Sequence, residues 1–246
     1  MKIMLEIFGV LVVLGFIGMK IPEDSASPVI VELFTAEGCS SCPPADDLLK
    51  EMSEILNKEG KHVVGLSFHV TYWNRLGWVD PYSEEQFTNR QKKYSEALKT
   101  QQLYTPQAIV NGSTEFVGSN PMAFRDQVTK ASEKAYSYKL DVKSVSVDGK
   151  LTVQYDLGKE PKQTVLNIAV VENFVKHLVP RGENKDRTLQ HTNVVRSFET
   201  ITPQKSGEVA IKLPPDVVSD RFKIVIYTQN VKTMQINGAA EAALIL

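Results

Sequence analysis

PVIVELFTAEGCSSCPPADD, residues 28–47, places a strand, a two-cysteine motif and a helix start in unbroken succession. Pro28 to Phe34 is β-branched and apolar, is bounded by Pro28 and by Glu37-Gly38, and predicts a buried strand. Cys39-Ser40-Ser41-Cys42 follows at once. Pro43-Pro44 then open a helix, because proline is tolerated in the first turn, where its missing N–H has no partner. Leu48, Leu49, Met52, Ile55 and Leu56 recur at helical spacing, so the helix runs from about Ala45 to Leu56 and closes at Gly60.

A C-x-x-C between strand and helix has a chemical rationale. A helix N-terminus presents unpaired N–H groups and the positive end of the dipole, which favour thiolate over thiol. The thiolate is the nucleophile in disulfide exchange. Cys39 is therefore the expected attacking thiol, and Cys42, one turn on, the resolving one. Glu37 works against this, since one negative charge disfavours another beside it. The alternatives for the pair are an inert structural disulfide and a metal-related site. The chain has only these 2 cysteines, which excludes a four-thiolate zinc site within one chain. Pro43 after Cys42 excludes the c-type haem pattern. Exchange chemistry needs no organic cofactor and no metal; turnover needs a separate electron donor or acceptor protein.

Moving outward, Val63 to Val70 predicts a second strand ending near His69. Tyr72, Trp73 and Trp78 follow, and core packing is the expectation for at least one tryptophan. Ser83 to Lys99 has the spacing of an amphipathic helix. Thr105-Pro106 leads into a strand at Gln107 to Val110, Asn111-Gly112 signals a hairpin, and Glu115 to Val117 pairs back. Asn120-Pro121 starts a helix reaching about Ala135. The first half thus reads β-α-β-(insert)-β-β-α, with the cysteine motif and the Thr-Pro where a thioredoxin-like fold has them. In such folds the proline is cis and packs against the disulfide. A cis bond at Pro106 would leave the Thr105 backbone free to pair with an extended chain. Thr105, Pro106 and Trp73 are the expected substrate-binding residues. His69 reads either as a proton shuttle or as a strand-end histidine bonded to backbone.

From about Ser137 the pattern changes to short alternating strands: 139–147, 151–157, 164–171, 208–213, 222–229 and 240–246. The expected organisation is a leader at 1–27, a thioredoxin-like α/β domain with a helical insert at 28–136, and a small, mainly antiparallel β domain at 137–246. Arg181 to Arg196 reads as a polar loop, either functional or an ion-paired packing loop between the domains. The charges of Arg181 to Arg187 read as a solvated face.

Lys2 before the apolar run Phe8 to Met19 predicts a cleaved signal peptide, with an uncleaved anchor as the alternative. Either leader makes the chain exported, to the periplasm or outside, where a disulfide persists. The net charge of −1, with no long Lys/Arg run, excludes nucleic acid as a partner, and a membrane enters only through that leader.

Further residues carry a family resemblance. The segment 31–46, then Phe68-His69-Val70 with Tyr72-Trp73, Leu76-Gly77-Trp78 with Asp80-Pro81, and Tyr104-Thr105-Pro106-Gln107 are similar to an exported bacterial family of unknown function with a thioredoxin-like fold. Arg181-Gly182-Glu183-Asn184, Arg187-Thr188-Leu189 and His191 with Asn193-Val194-Val195-Arg196 extend the resemblance through the second half. Thr71 and Asn74 stand where many relatives are expected to carry carboxylates. The resemblance implies the fold and assigns no reaction. From the residues themselves, the expected function is thiol–disulfide exchange with other exported proteins. The alternatives are a binding or assembly module stapled by Cys39–Cys42, and a Cu(I) metallochaperone using both thiols with His69.

Overall fold

The computed structural model describes residues 27–100, 102–147 and 150–244 of the chain. The expected leader lies outside the described residues. Among those described, no helix is long and apolar enough to cross a membrane.

Strand β1 (Val29–Thr35) is buried along its whole length, as a continuous apolar run requires when both sheet faces are covered. Its residues alternate between two cores. Val29, Val31 and Leu33 pack beneath helix α1 (Pro43–Lys58) with Leu49, Met52 and Leu56. Ile30 and Phe34 point the other way, toward Phe87 and Tyr94 of helix α2 (Glu85–Leu98). Strand β2 (Val63–His69) lies parallel to β1 and is equally buried. Its Gly65 lets α1 lie close, since a Cβ there would meet Leu49 Cδ1 at 2.7 Å. Strands β3 (Gln107–Val110) and β4 (Thr114–Val117) form the expected hairpin, with β3 antiparallel to β1. Helix α3 (Pro121–Ser132) adds Phe124 and Val128 to the core under α1.

The second half differs from the separate β unit that its patterning predicts. Strands β5 (Asp141–Val147) and β6 (Lys150–Asp156) are joined by β9 (Ser206–Ile211) in a separate three-stranded antiparallel sheet that packs on the large one through Leu151, Val153, Leu166 and Ile168. The others, β7 (Thr164–Leu178), β8 (Thr188–Ile201), β10 (Phe222–Asn230) and β11 (Ile236–Ala243), join the first half. The result is one eight-stranded mixed sheet in the order β11-β10-β7-β8-β2-β1-β3-β4. Its two halves meet where β8 runs parallel to β2, pairing Val194 with Ser67. The Ser67 hydroxyl adds a bond to the Thr192 carbonyl at 2.8 Å. The polar loop expected over 181–196 is therefore a turn followed by a strand.

The face shared by β1, β2, α2 and β10 encloses a charged cluster. Glu32 of β1 accepts two hydrogen bonds from Arg90, at 2.6 and 2.7 Å. It also accepts from the hydroxyls of Tyr94 (2.9 Å) and Tyr227 (3.0 Å). The guanidinium carbon lies 4.9–5.6 Å from the rings of Phe68, Tyr94, Phe198 and Tyr227. This arrangement surrounds the buried Glu32 carboxylate with donors, as burial of a polar group requires.

Candidate active site

Cys42 is the N-cap of α1, with Pro43-Pro44 in the first turn and no side-chain cap. Cys39 and Cys42 form a disulfide. Ser40 and Ser41 are exposed, whereas both cysteines have no accessible surface. The Thr105 hydroxyl donates to Cys39 Sγ at 3.3 Å. Trp73 Nε1–H in turn donates to Thr105 Oγ1 at 2.7 Å, which fixes the hydroxyl so that its proton points at sulfur. Ser41 Oγ lies 3.4 Å from the same sulfur and must donate, because a disulfide sulfur has no proton. The Thr105–Pro106 bond is cis. Gly38 leaves room for Trp73, whose Cβ lies 3.2 Å from where a Cβ on residue 38 would sit.

The turn between β7 and β8 closes onto the backbone of the motif. Asn184 is fully buried, and its amide donates to the carbonyls of Glu37 and Cys39, both at 2.9 Å. Arg187 holds the other end of that side chain, donating to Asn184 Oδ1 at 2.6 Å. Glu183 accepts from the Ser40 N–H at 3.0 Å. The charged residues of 181–187 are exposed, as the charge pattern predicts, while the uncharged Asn184 turns inward to bond the motif backbone and Glu183 reaches the Ser40 N–H from the surface. Asn184→Ala should cost about 1–3 kcal/mol, because it leaves the buried Glu37 carbonyl without its donor while the Cys39 carbonyl keeps the Cys42 N–H, and it should speed reduction of the disulfide by dithiothreitol about tenfold or more. Stopped-flow reduction at fixed pH reads the rate. An unchanged rate in the folded variant would show that this turn is not the barrier.

Beside the motif lies a polar cluster containing three of the chain's 4 histidines, His69 and His191 buried and His177 partly exposed. Glu37 is fully buried and accepts from Trp78 Nε1–H at 2.7 Å; His177 Nδ1 approaches it at 2.9 Å. The Trp78 indole stacks on His177. His191 of β8 sits between two carboxylates, Nε2 at 3.7 Å from Glu37 and Nδ1 at 3.4 Å from Asp46 of α1. These are ion-pair contacts rather than aligned hydrogen bonds. Burial opposes the charged imidazolium, but Asp46 and Glu37 outweigh it and raise the His191 pKa from 6.5 to about 10. The His191 ring packs edge-on against His69, centroids 4.6 Å apart. His69 Nδ1 lies 2.7 Å from Asp80, which also accepts from the Glu37 N–H at 2.8 Å. Burial works against ionised Asp80, yet His69 and the N–H donors hold its carboxyl below its ordinary value.

Thr105, Pro106 and Trp73 thus converge with Cys39 and Cys42. His69 lies a layer further in, reaching the motif through Asp80 and His191. Trp73 packs against the main core, as expected for one of the tryptophans, and both stay partly exposed while their N–H groups bond Thr105 and Glu37. Sequence reading misses Asn184 as the partner of the motif carbonyls, His177 as a Glu37 partner and His191 as the bridge. The density of Asn, His and Arg in 181–196 is the one signal for Asn184 and His191, and nothing in that stretch marks His177. Among the described residues, no group of three or more His, Cys, Asp or Glu is arranged to hold a metal ion.

A family model described as protein of unknown function (DUF1223) matches residues 30–229, which span the motif, Thr105 and the 184–191 segment. The chain belongs to the DUF1223 family. A crystal structure of protein AGR_C_4864 from Agrobacterium tumefaciens is similar to this DUF1223 chain, at 27% identity and a TM-score of 0.67. The match covers 90% of this chain and 96% of that one. HBP35 of Porphyromonas gingivalis shares the fold at 17% identity, also with a TM-score of 0.67, over 90% of this chain and 76% of its own. No curated protein sequence matches the DUF1223 chain.

Proposed function

We propose that this DUF1223 protein is an exported thiol–disulfide oxidoreductase built on a thioredoxin-like fold, exchanging with thiols or disulfides of other exported proteins. The observation that carries the reading is the chain Trp73 to Thr105 to Cys39. It places a fixed O–H donor on one sulfur of the pair. A donor aimed at sulfur stabilises the thiolate that attack or departure creates there, and so favours exchange at Cys39. In the oxidising direction a client thiolate attacks Cys39, the Cys39–Cys42 bond breaks, and Cys42 leaves as thiolate. Cleavage of the resulting mixed disulfide by a second client thiol releases the client disulfide and leaves the pair reduced. A redox partner protein then restores the starting state. The apolar leader supports export, and because both sulfurs are buried, the motif must open before a client can reach them.

The burial of both sulfurs favours a second reading, a fixed staple in a binding module. The reduction potential separates the two. Equilibration in glutathione or dithiothreitol buffers should give roughly −120 to −270 mV for an exchange protein. A potential well below about −300 mV would make the disulfide a staple. Cys39→Ser should abolish exchange with a model disulfide-containing protein while leaving the fold intact.

A further inference from the structure

His191 is buried and charged, and the exchange chemistry at Cys39 gives it no task. Its two nitrogens face two carboxylates from different elements, Glu37 after β1 and Asp46 on α1. His69 of β2 and Tyr82 pack against its ring, and Asp80, His177 and Arg196 stand one contact further out. Asp46 lies four residues beyond Cys42, on the same side of the helix. Its Oδ1 is buried with no hydrogen-bond partner among the described residues. A buried acceptor without a donor is costly, and the disulfide state supplies none, because Cys42 then has no proton. The reduced state adds an S–H on Cys42, one helical turn before Asp46. At the other end, the His177 side chain is 31% exposed and contacts Glu37. Carboxylates and imidazoles therefore alternate from solvent to the helix face carrying Cys42: His177, Glu37, His191, Asp46.

We propose that His191, bridging Glu37 and Asp46, is the proton relay for the Cys42 thiol. This rests on the oxidoreductase reading above. The relay works when Cys42 acts as resolving thiol. Reduced protein first attacks glutathione disulfide through the Cys39 thiolate, forming a Cys39–glutathione mixed disulfide and releasing one glutathione thiolate. Cys42 then gives its proton to Asp46 and attacks the Cys39 sulfur. The second glutathione leaves as thiolate, and the Cys39–Cys42 bond forms. Two electrons pass from the dithiol to glutathione disulfide. His191 passes a proton outward through Glu37 and His177 as it takes up the one on Asp46. His191 rather than His69 fits this task, because His69 commits Nδ1 to Asp80 while His191 faces both carboxylates.

The test uses the purified full chain, reduced and mixed with glutathione disulfide, with acid quenching and mass spectrometry of the mixed disulfide. Asp46→Asn should prolong that intermediate about tenfold or more at pH 7, within the range general acid–base catalysis supplies. The difference should fade at high pH, where Cys42 ionises unaided. His191→Gln should act alike; should it fail to fold by circular dichroism, Asp46→Asn decides alone. A folded Asp46→Asn protein that resolves the intermediate as fast as wild type at every pH overturns the relay and leaves the oxidoreductase reading standing. A wild-type protein that never forms the intermediate overturns both.

Discussion

Arg90→Met should destabilise the protein by about 3–5 kcal/mol, the usual cost of removing one partner from a buried ion pair. The loss comes less from the missing attraction than from what stays behind. Glu32 has no accessible surface, and without the guanidinium it keeps only the hydroxyls of Tyr94 and Tyr227. Gln229 would also lose a partner, since Arg90 donates to its Oε1 at 3.1 Å. The double variant Glu32→Gln/Arg90→Met should recover part of the loss, because a neutral amide is far cheaper to bury than a carboxylate. Urea unfolding of the three proteins measures both effects. A single-variant loss below about 1 kcal/mol would mean that water reaches Glu32 and screens it like a surface pair.

The second large effect is on the alkaline side. His191 has a folded-state pKa of about 10 against 6.5 for the free side chain. A group whose pKa rises on folding contributes its full stability below the unfolded value and loses it as pH rises through the folded one. Stability should therefore decline between pH 6.5 and about 10 by a few kcal/mol, since each tenfold gain in proton affinity on folding is worth roughly 1.4 kcal/mol. Asp80 acts at the other end. Its lowered pKa gives stability that is present above its ordinary value and disappears in acid. Urea midpoints measured at pH 6, 8 and 10 check the alkaline branch. Asp46→Asn removes the carboxylate with the larger effect on the imidazolium, so its curve should be flatter over that range. Parallel curves for the two proteins would show that His191 is not the group responsible.

The first half of the fold is legible because its signals are local. The apolar runs of β1 and β2 and the prolines opening α1 identify their elements without knowledge of partners. The convergence of Thr105 with Cys39 is legible too, because the order of elements puts the Thr-Pro beside the motif. Strand β8 is not. Thr188 to Ile201 carries Gln190, His191, Asn193 and Arg196, and a strand that polar reads as a loop. It is stable in the interior of the sheet because distant residues satisfy those side chains: Asp46 and Glu37 for His191, Glu172 and Asp216 for Arg196. Asn193 adopts a φ of 51°, which breaks the alternation that would have marked the strand. The register joining the two halves depends on β8 meeting β2, and no periodicity within either segment encodes that meeting.

That junction sets a limit on cutting the protein down. A fragment ending near residue 136 keeps both cysteines and Thr105, and would look like a self-sufficient catalytic unit. It would lose β8, and with it the flank of β2. Val63 to His69 would become a naked, seven-residue, largely apolar border strand, the kind of surface that recruits other chains into aggregates. The fragment would also surrender Asn184, His177 and His191 together. Expression trials, domain libraries and fusions that divide the chain at the change of sequence pattern should yield insoluble material, whereas those that carry β8 along preserve both solubility and the surroundings of the disulfide.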